Sequence, residues 1–122
     1  MRVLLLDDHP EVLASLELLL KAAGYDVQAA GTAAEALAAQ QARPADVLVT
    51  DIFMPDSDGL ETISAFRARW PGLTIIAMSG GGQRVSGDYL DTASLAGADR
   101  LLRKPFDPAQ LLALLREQRL KP

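Results

Sequence analysis

The sequence predicts an α/β fold, a five-stranded parallel sheet doubly wound by helices on both faces. Three observations predict it. Short apolar runs alternate with segments of helical period five times. Most of the runs are continuous rather than alternating, as strands buried on both faces require. Glycine and proline stops, at Gly24, Pro71-Gly72 and Gly97, separate helices from strands. Because strand–helix–strand crossovers are right-handed, this alternation gathers all strand C-termini on one edge of the sheet.

The five apolar runs are Val3–Leu6, Val27–Ala30, Val47–Thr50, Leu73–Met78 and Leu101–Leu102 with its flanks. The first helical stripe is Val12, Leu13, Leu16, Leu19 and Leu20, stopped by Gly24. The second is Ala33, Ala36 and Leu37; Thr32 is its N-cap and Glu35 stands three residues on, a capping-box pattern. Leu60, Ile63, Phe66 and Trp70 form the third. Tyr89, Leu90 and Ala93 mark a weaker fourth, ending at Gly97. Leu111, Leu112, Leu114 and Leu115 mark the fifth, with Asp107 as N-cap and Pro108 at the first helical position. No repeat, low-complexity tract or linker interrupts the 122 residues, so residues 1–122 are expected to form a single domain.

Composition removes several function classes. Apolar residues make up 49% and charged residues 23%, an ordinary globular balance. There is no cysteine, which excludes disulfides, thiolate zinc sites and cysteine nucleophiles. No stretch approaches the roughly 20 apolar residues of a membrane span, and the N-terminal apolar run is too short for a signal peptide and ends in two acids. A cytoplasmic protein without membrane contact is expected. The net charge of −4 lacks the basic footprint of nucleic-acid binding, so no nucleic acid is expected as a partner of this chain.

In an open α/β sheet, ligands bind beyond the strand C-termini at the point where strand order reverses. Strand one ends in Asp7-Asp8, strand three in Asp51, strand four in Ser79 and strand five in Lys104-Pro105. In a flavodoxin-like (βα)5 sheet of order 2-1-3-4-5, strands one and three are neighbours, and Asp7, Asp8 and Asp51 cluster. Carboxylates about 4 Å apart repel by about 1–4 kcal/mol per pair. An all-oxygen site of this kind suits Mg²⁺, which shares its coordination sphere with phosphate oxygens. A carboxylate can also be the nucleophile that forms an acyl phosphate.

The segments LLLDDHP, VTDIFMPDSDG, MSG and LLRKPF, in this order and at these spacings, resemble the response-regulator receiver domains of two-component signalling over the whole chain. The resemblance implies a switch with intrinsic phosphotransfer and autophosphatase chemistry only, not a metabolic enzyme. It implies Asp51 as phosphoacceptor, with Ser79 as the switch hydroxyl and Lys104 as the cation that pairs with the phosphoryl group. It implies Mg²⁺ held by Asp8 directly, by Asp7 largely through water, by Asp51, and by the backbone carbonyl of Phe53. The implied donor is a sensor histidine kinase or phosphotransfer protein. A downstream effector or a second copy would meet the face made by the fourth helix, fifth strand and fifth helix. The change of shape is expected around the fourth strand and fourth helix.

Other residues read more plainly. His9 stands alone and reads as a rim residue. Arg67 and Arg69 read as a solvated face, Phe66 and Trp70 as core or helix edge, and Met54-Pro55 and Asp58-Gly59 as loop architecture, with Gly59 easing a tight turn. Leu101 stands where receivers usually carry Tyr or Phe, which puts the familiar aromatic relay aside. The glycines 80, 81, 82 and 87 predict a loop that orders on activation, and Phe53 predicts a longer-lived phospho-form than a Phe53→Asn variant would show. A receiver-shaped interaction module used without phosphorylation stays open as the alternative. A dehalogenase-type phosphohydrolase needs an Asp-x-Asp pair that Asp7-Asp8-His9 lacks, and a flavodoxin-type electron carrier needs a phosphate loop where two acids stand.

Overall fold

The structure, a computed structural model, describes residues 1–54, 57–79, 96–103 and 106–119; at positions 53, 54, 57, 58, 79 and 119 only the backbone is described. The elements in chain order are β1 (Arg2–Leu6), α1 (Pro10–Ala22), β2 (Asp26–Ala30), α2 (Ala33–Ala42), β3 (Val47–Asp51), β4 (Phe53–Met54), β5 (Ser57–Asp58), α3 (Gly59–Arg69), β6 (Thr74–Ser79), β7 (Arg100–Arg103) and α4 (Pro108–Arg119). Five strands form one parallel sheet in the order β2-β1-β3-β6-β7. This is the order expected for strands one to five, a flavodoxin-like fold. The fourth helical stripe, through Tyr89, Leu90 and Ala93, and the glycine loop before it lie outside the described residues.

The central strands β1, β3 and β6 are buried on both faces because they are apolar through their middles, whereas the edge strands β2 and β7 are only partly covered. Leu4, Leu6, Leu48, Ile75 and Ala77 pack with Ala36 of α2 and with Ile63 and Phe66 of α3. Val3, Leu5, Val27, Val47, Val49, Ile76 and Met78 pack with Leu16 and Leu20 of α1 and with Leu111 and Leu115 of α4. Period two along each strand sends neighbouring residues to opposite cores. Leu101 belongs to the first of these, half-buried against it.

The caps follow the sequence, with one variation. Thr32 Oγ1 accepts from Glu35 N at 3.1 Å. The return bond runs one residue further back than a capping box prescribes: Gly31 N donates to Glu35 Oε2 at 3.1 Å. At α4, Ala109 N donates to Asp107 Oδ1 at 2.9 Å, and Asp107 N donates to Gln110 Oε1 at 3.0 Å. Gly24 ends the α1 connection at φ +95°.

One polar side chain corrects the sequence reading, and a second, Gln40, was not foreseen in it. Arg67 is no solvated residue. Its guanidinium donates to Pro71 O (2.8 Å), Leu73 O (2.6 Å) and Gly97 O (2.8 and 3.1 Å), and it pairs with Asp99 Oδ2 at 2.6 Å. Helical periodicity places it on the outer face of α3, but the turns before β6 and β7 fold over that face and supply carbonyls to its planar fork. Gln40, polar at the end of the α2 stripe, is 1% exposed. It accepts from Ala45 N at 2.9 Å and donates to Ala45 O at 3.4 Å, closing the α2–β3 connection. Arg69 lies over the Trp70 ring, 4.8 Å from its centroid, and Trp70 meets Phe66 at 5.3 Å.

Candidate functional site

The strand register sets the site. Leu6 is level with Thr50 across the β1–β3 ladder, which puts Asp7 level with Asp51; Asp51 is level with Met78 of β6. Adjacent strands lie about 4.8 Å apart. The last residue of β3 and the first residue beyond β1 therefore meet at the C-terminal edge of the sheet. Both are 1% exposed. Asp8 follows at the rim, its side chain 24% exposed.

One ligand atom each from Asp7, Asp8, Asp51 and His9 lies within 4.8 Å of all the others. The three acids predicted to cluster do so. Three carboxylates this close repel by about 1–4 kcal/mol per pair at effective dielectrics between those of water and a protein surface. His9, read from the sequence as a rim residue, is 63% exposed and sits at the edge of the cluster. Its backbone N donates to Asp7 Oδ1 at 2.9 Å, an Asx turn, and its Nδ1 lies 3.0 Å from the same oxygen. The signal for it was present as an acid two residues before a histidine at a helix start.

Whether these residues fit a divalent cation can be judged from the donor set. The carboxylates are hard oxygen donors of the kind that hold Mg²⁺. Asp8 Oδ1 is buried and has no hydrogen-bond partner; it faces His9 Nδ1 at 3.2 Å without hydrogen-bonding to it. A buried carboxylate oxygen left in this way is costly unless a cation meets it. The residues fit.

The other predicted site residues are reached by backbone only, or not at all. Ser79 ends β6 one residue past Met78, the partner of Asp51. Phe53 begins β4, two residues past Asp51, and pairs with Asp58 in an antiparallel ladder with Met54↔Ser57. The segment expected to be loop is thus partly a short hairpin. Lys104 lies outside the described residues. The backbone that carries Asp51 is braced from below: Ile52 N donates to Met78 O at 2.9 Å. It is also approached closely by Gly59. A Cβ on Gly59 would stand 2.5 Å from Ile52 Cα. Gly59 does not have positive φ, so close approach rather than a left-handed turn is what requires glycine there.

Among the described residues, no helix is long and apolar enough to cross a membrane.

Comparison with known proteins places this geometry. A family model described as the response regulator receiver domain matches residues 3–116. The transcriptional regulatory protein KdpE of Mycobacterium tuberculosis is 36% identical over 114 residues, covering 93% of this chain and 49% of that protein. The chain spans about half the length of the curated relatives it matches. A CheY-like receiver domain from Methanospirillum hungatei JF-1 superposes with a TM-score of 0.88 at 32% identity, covering 96% of this chain and 91% of that one. The response regulator TrrA of Thermotoga maritima, solved in complex with Mg(2+)-BeF, gives a TM-score of 0.82 at 28% identity, covering 96% and 97%. With its sheet order, its acids at the strand ends and a family match over most of its length, the chain belongs to the response-regulator receiver domains.

Proposed function

We propose that this chain is the phosphoacceptor switch of a two-component system, acting in the cytoplasm as a single domain over residues 1–122. The observation that carries the reading is Asp51, 1% exposed and level with Asp7, with Asp7 and Asp8 carboxylate oxygens within 4.8 Å of its own. A carboxylate set among other acids is a nucleophile toward a phosphoryl group once the negative charge is shared. Mg²⁺ in this site would supply positive charge against the acids and the incoming phosphoryl group. Asp7, Asp8, Asp51 and the Phe53 carbonyl would hold it. TrrA, solved with Mg(2+)-BeF, supports this choice of ion and of ligand class.

In the proposed transfer an Asp51 oxygen attacks phosphorus. The bond from phosphorus to the imidazole of a histidine kinase or phosphotransfer protein breaks, and the imidazole leaves with the bonding electron pair. The product is an acyl phosphate on Asp51. Ser79 would donate its hydroxyl to a phosphoryl oxygen, and Lys104 would supply the balancing cation. Water attack on the same phosphorus reverses the switch, so the chain's own chemistry is phosphotransfer and autophosphatase. The signal would leave around the end of β6 and the segment after it, toward an effector or a second copy.

Intact-mass analysis after incubation with acetyl phosphate and Mg²⁺ tests this. The expected result is one phosphoryl adduct that requires Mg²⁺ and vanishes in Asp51→Asn. Wild-type protein that gains no adduct, and binds no beryllofluoride, would instead be a receiver-shaped interaction module.

A further inference from the structure

The end of the sheet away from Asp51 holds a second place with chemical content. A cleft of about 610 Å³ opens at the first residues of β3 and β6, between the α2–β3 connection, the turn after α3 and the last turn of α4. Val47, in its lining, begins the strand that Asp51 ends, so the two lie about 13 Å apart along β3. The volume falls within the roughly 300–1,000 Å³ of small-ligand sites.

Two buried amides border this cleft, and they differ. Gln40 makes both its hydrogen bonds to Ala45. Gln118, 9% exposed, accepts the Thr74 hydroxyl on Oε1 at 3.4 Å, while its Nε2 is buried and meets no acceptor. A buried donor without an acceptor is costly. The one base in the lining is also short of a partner. Arg69 lies over the Trp70 ring and donates to the Gln41 amide when that amide presents its oxygen, but among the described residues no carboxylate pairs with it. The one acid in the lining, Asp46, is engaged by Arg2 N at 2.8 Å. Pro44, Trp70 and Leu73 add apolar wall.

A neutral donor and a cation beside an apolar wall suit a ring that carries a negatively charged acceptor. We propose that this cleft binds a small aromatic carboxylate, with its ring against Pro44, Trp70 and Leu73 and its carboxylate taken by Gln118 Nε2 and the Arg69 guanidinium. The contact with Trp70 holds the guanidinium before a ligand arrives, so less side-chain freedom is lost on binding. The site shares no residue with the acid cluster at Asp51, and its failure would leave the phosphoacceptor reading untouched.

The chain has one tryptophan, so its fluorescence reports on this cleft alone. The whole chain, as wild type, Gln118→Leu and Arg69→Gln, is titrated with sodium benzoate and sodium naphthoate. Sodium acetate is the control without a ring, and benzamide the control without a charge. The expected result is a saturable change in Trp70 fluorescence with an aromatic carboxylate and none with acetate, together with a shift of the Gln118 side-chain amide resonance. Affinity falls about tenfold or more in each variant, as for loss of a hydrogen bond to a charged group, and benzamide binds more weakly than benzoate. Unfolding midpoints at or above that of wild type show that the variants have lost a site and not the fold. No saturable response of wild type to either aromatic carboxylate overturns the proposal and leaves the Gln118 donor to water. Equal affinity in wild type and both variants, or an unmoved Gln118 amide signal, overturns it as well.

Discussion

A methyl group on Gly59 would stand 2.5 Å from Ile52 Cα and 2.6 Å from its carbonyl carbon. Backbone cannot rotate out of the way as a side chain can, so Gly59→Ala must push α3 away from the strand that carries Asp51. A loss of about 1–3 kcal/mol is expected, as for other overpacked sites, measured by urea unfolding; a loss below about 0.5 kcal/mol would contradict the contact. Gln118 presents the opposite case. It is 9% exposed, its Oε1 meets Thr74 Oγ1 at 3.4 Å, and its Nε2 is buried without a partner. Gln118→Leu removes that orphaned donor and should be neutral or stabilising by up to about 1 kcal/mol in the same assay. At this scale the sequence was partly legible. Asp7, Asp8 and Asp51 were found because strand ends can be located from the apolar runs. The contacts of His9 with Asp7 could not be read, because a lone histidine has no spacing partner and the Asx turn that joins the two appears only in three dimensions.

Among the elements, the C-terminal turn of α3 has the most consequential anchoring. Arg67 joins α3 to the turn at Pro71–Leu73 and to Gly97 and Asp99 before β7, and Asp99 Oδ2 also accepts from Ile75 N at 2.8 Å. Gly97 adopts φ +129°, and a Cβ there would lie 3.0 Å from Arg67 Cβ, so the two residues fit as a pair. Arg67→Lys supplies one point charge in place of a planar fork and leaves carbonyls without donors. It should cost about 1–2 kcal/mol, and Arg67→Ala more, both read by denaturant unfolding. Equal stability of Arg67→Lys and wild type would mean that water replaces the fork without loss. This staple could not be read from the chain, because its acceptors are mostly backbone carbonyls and its one acid is 32 positions away. The caps at Thr32 and Asp107 could be read, because a cap is local and its residues stand within three positions of one another.

For the whole molecule, the two cores on either side of the sheet were legible from the continuous apolar runs, and the strand order observed is the one expected of the flavodoxin-like fold class. The short β4–β5 hairpin was not, since two-residue strands carry no periodicity. The same architecture ties metal binding to global stability. A cation that binds only the folded cluster adds about 2.7 kcal/mol at a concentration one hundred times its Kd, which for a domain of this size raises Tm by roughly 10 °C. Wild-type Tm should therefore climb with Mg²⁺ and climb less in Asp51→Asn. Equal climbs in the two would mean that the stabilising ions bind elsewhere.

One further consequence comes from where β1 sits. Within this domain the first strand in chain order is an interior strand, paired on one side with β2 and on the other with β3. On the ribosome, Val3–Leu6 can pair with Val27–Ala30 early, but its second edge has no partner until Val47–Asp51 has emerged. An unpaired apolar edge is open to other chains for that interval. The tempo of translation between the two segments therefore sets how long each nascent copy needs protection.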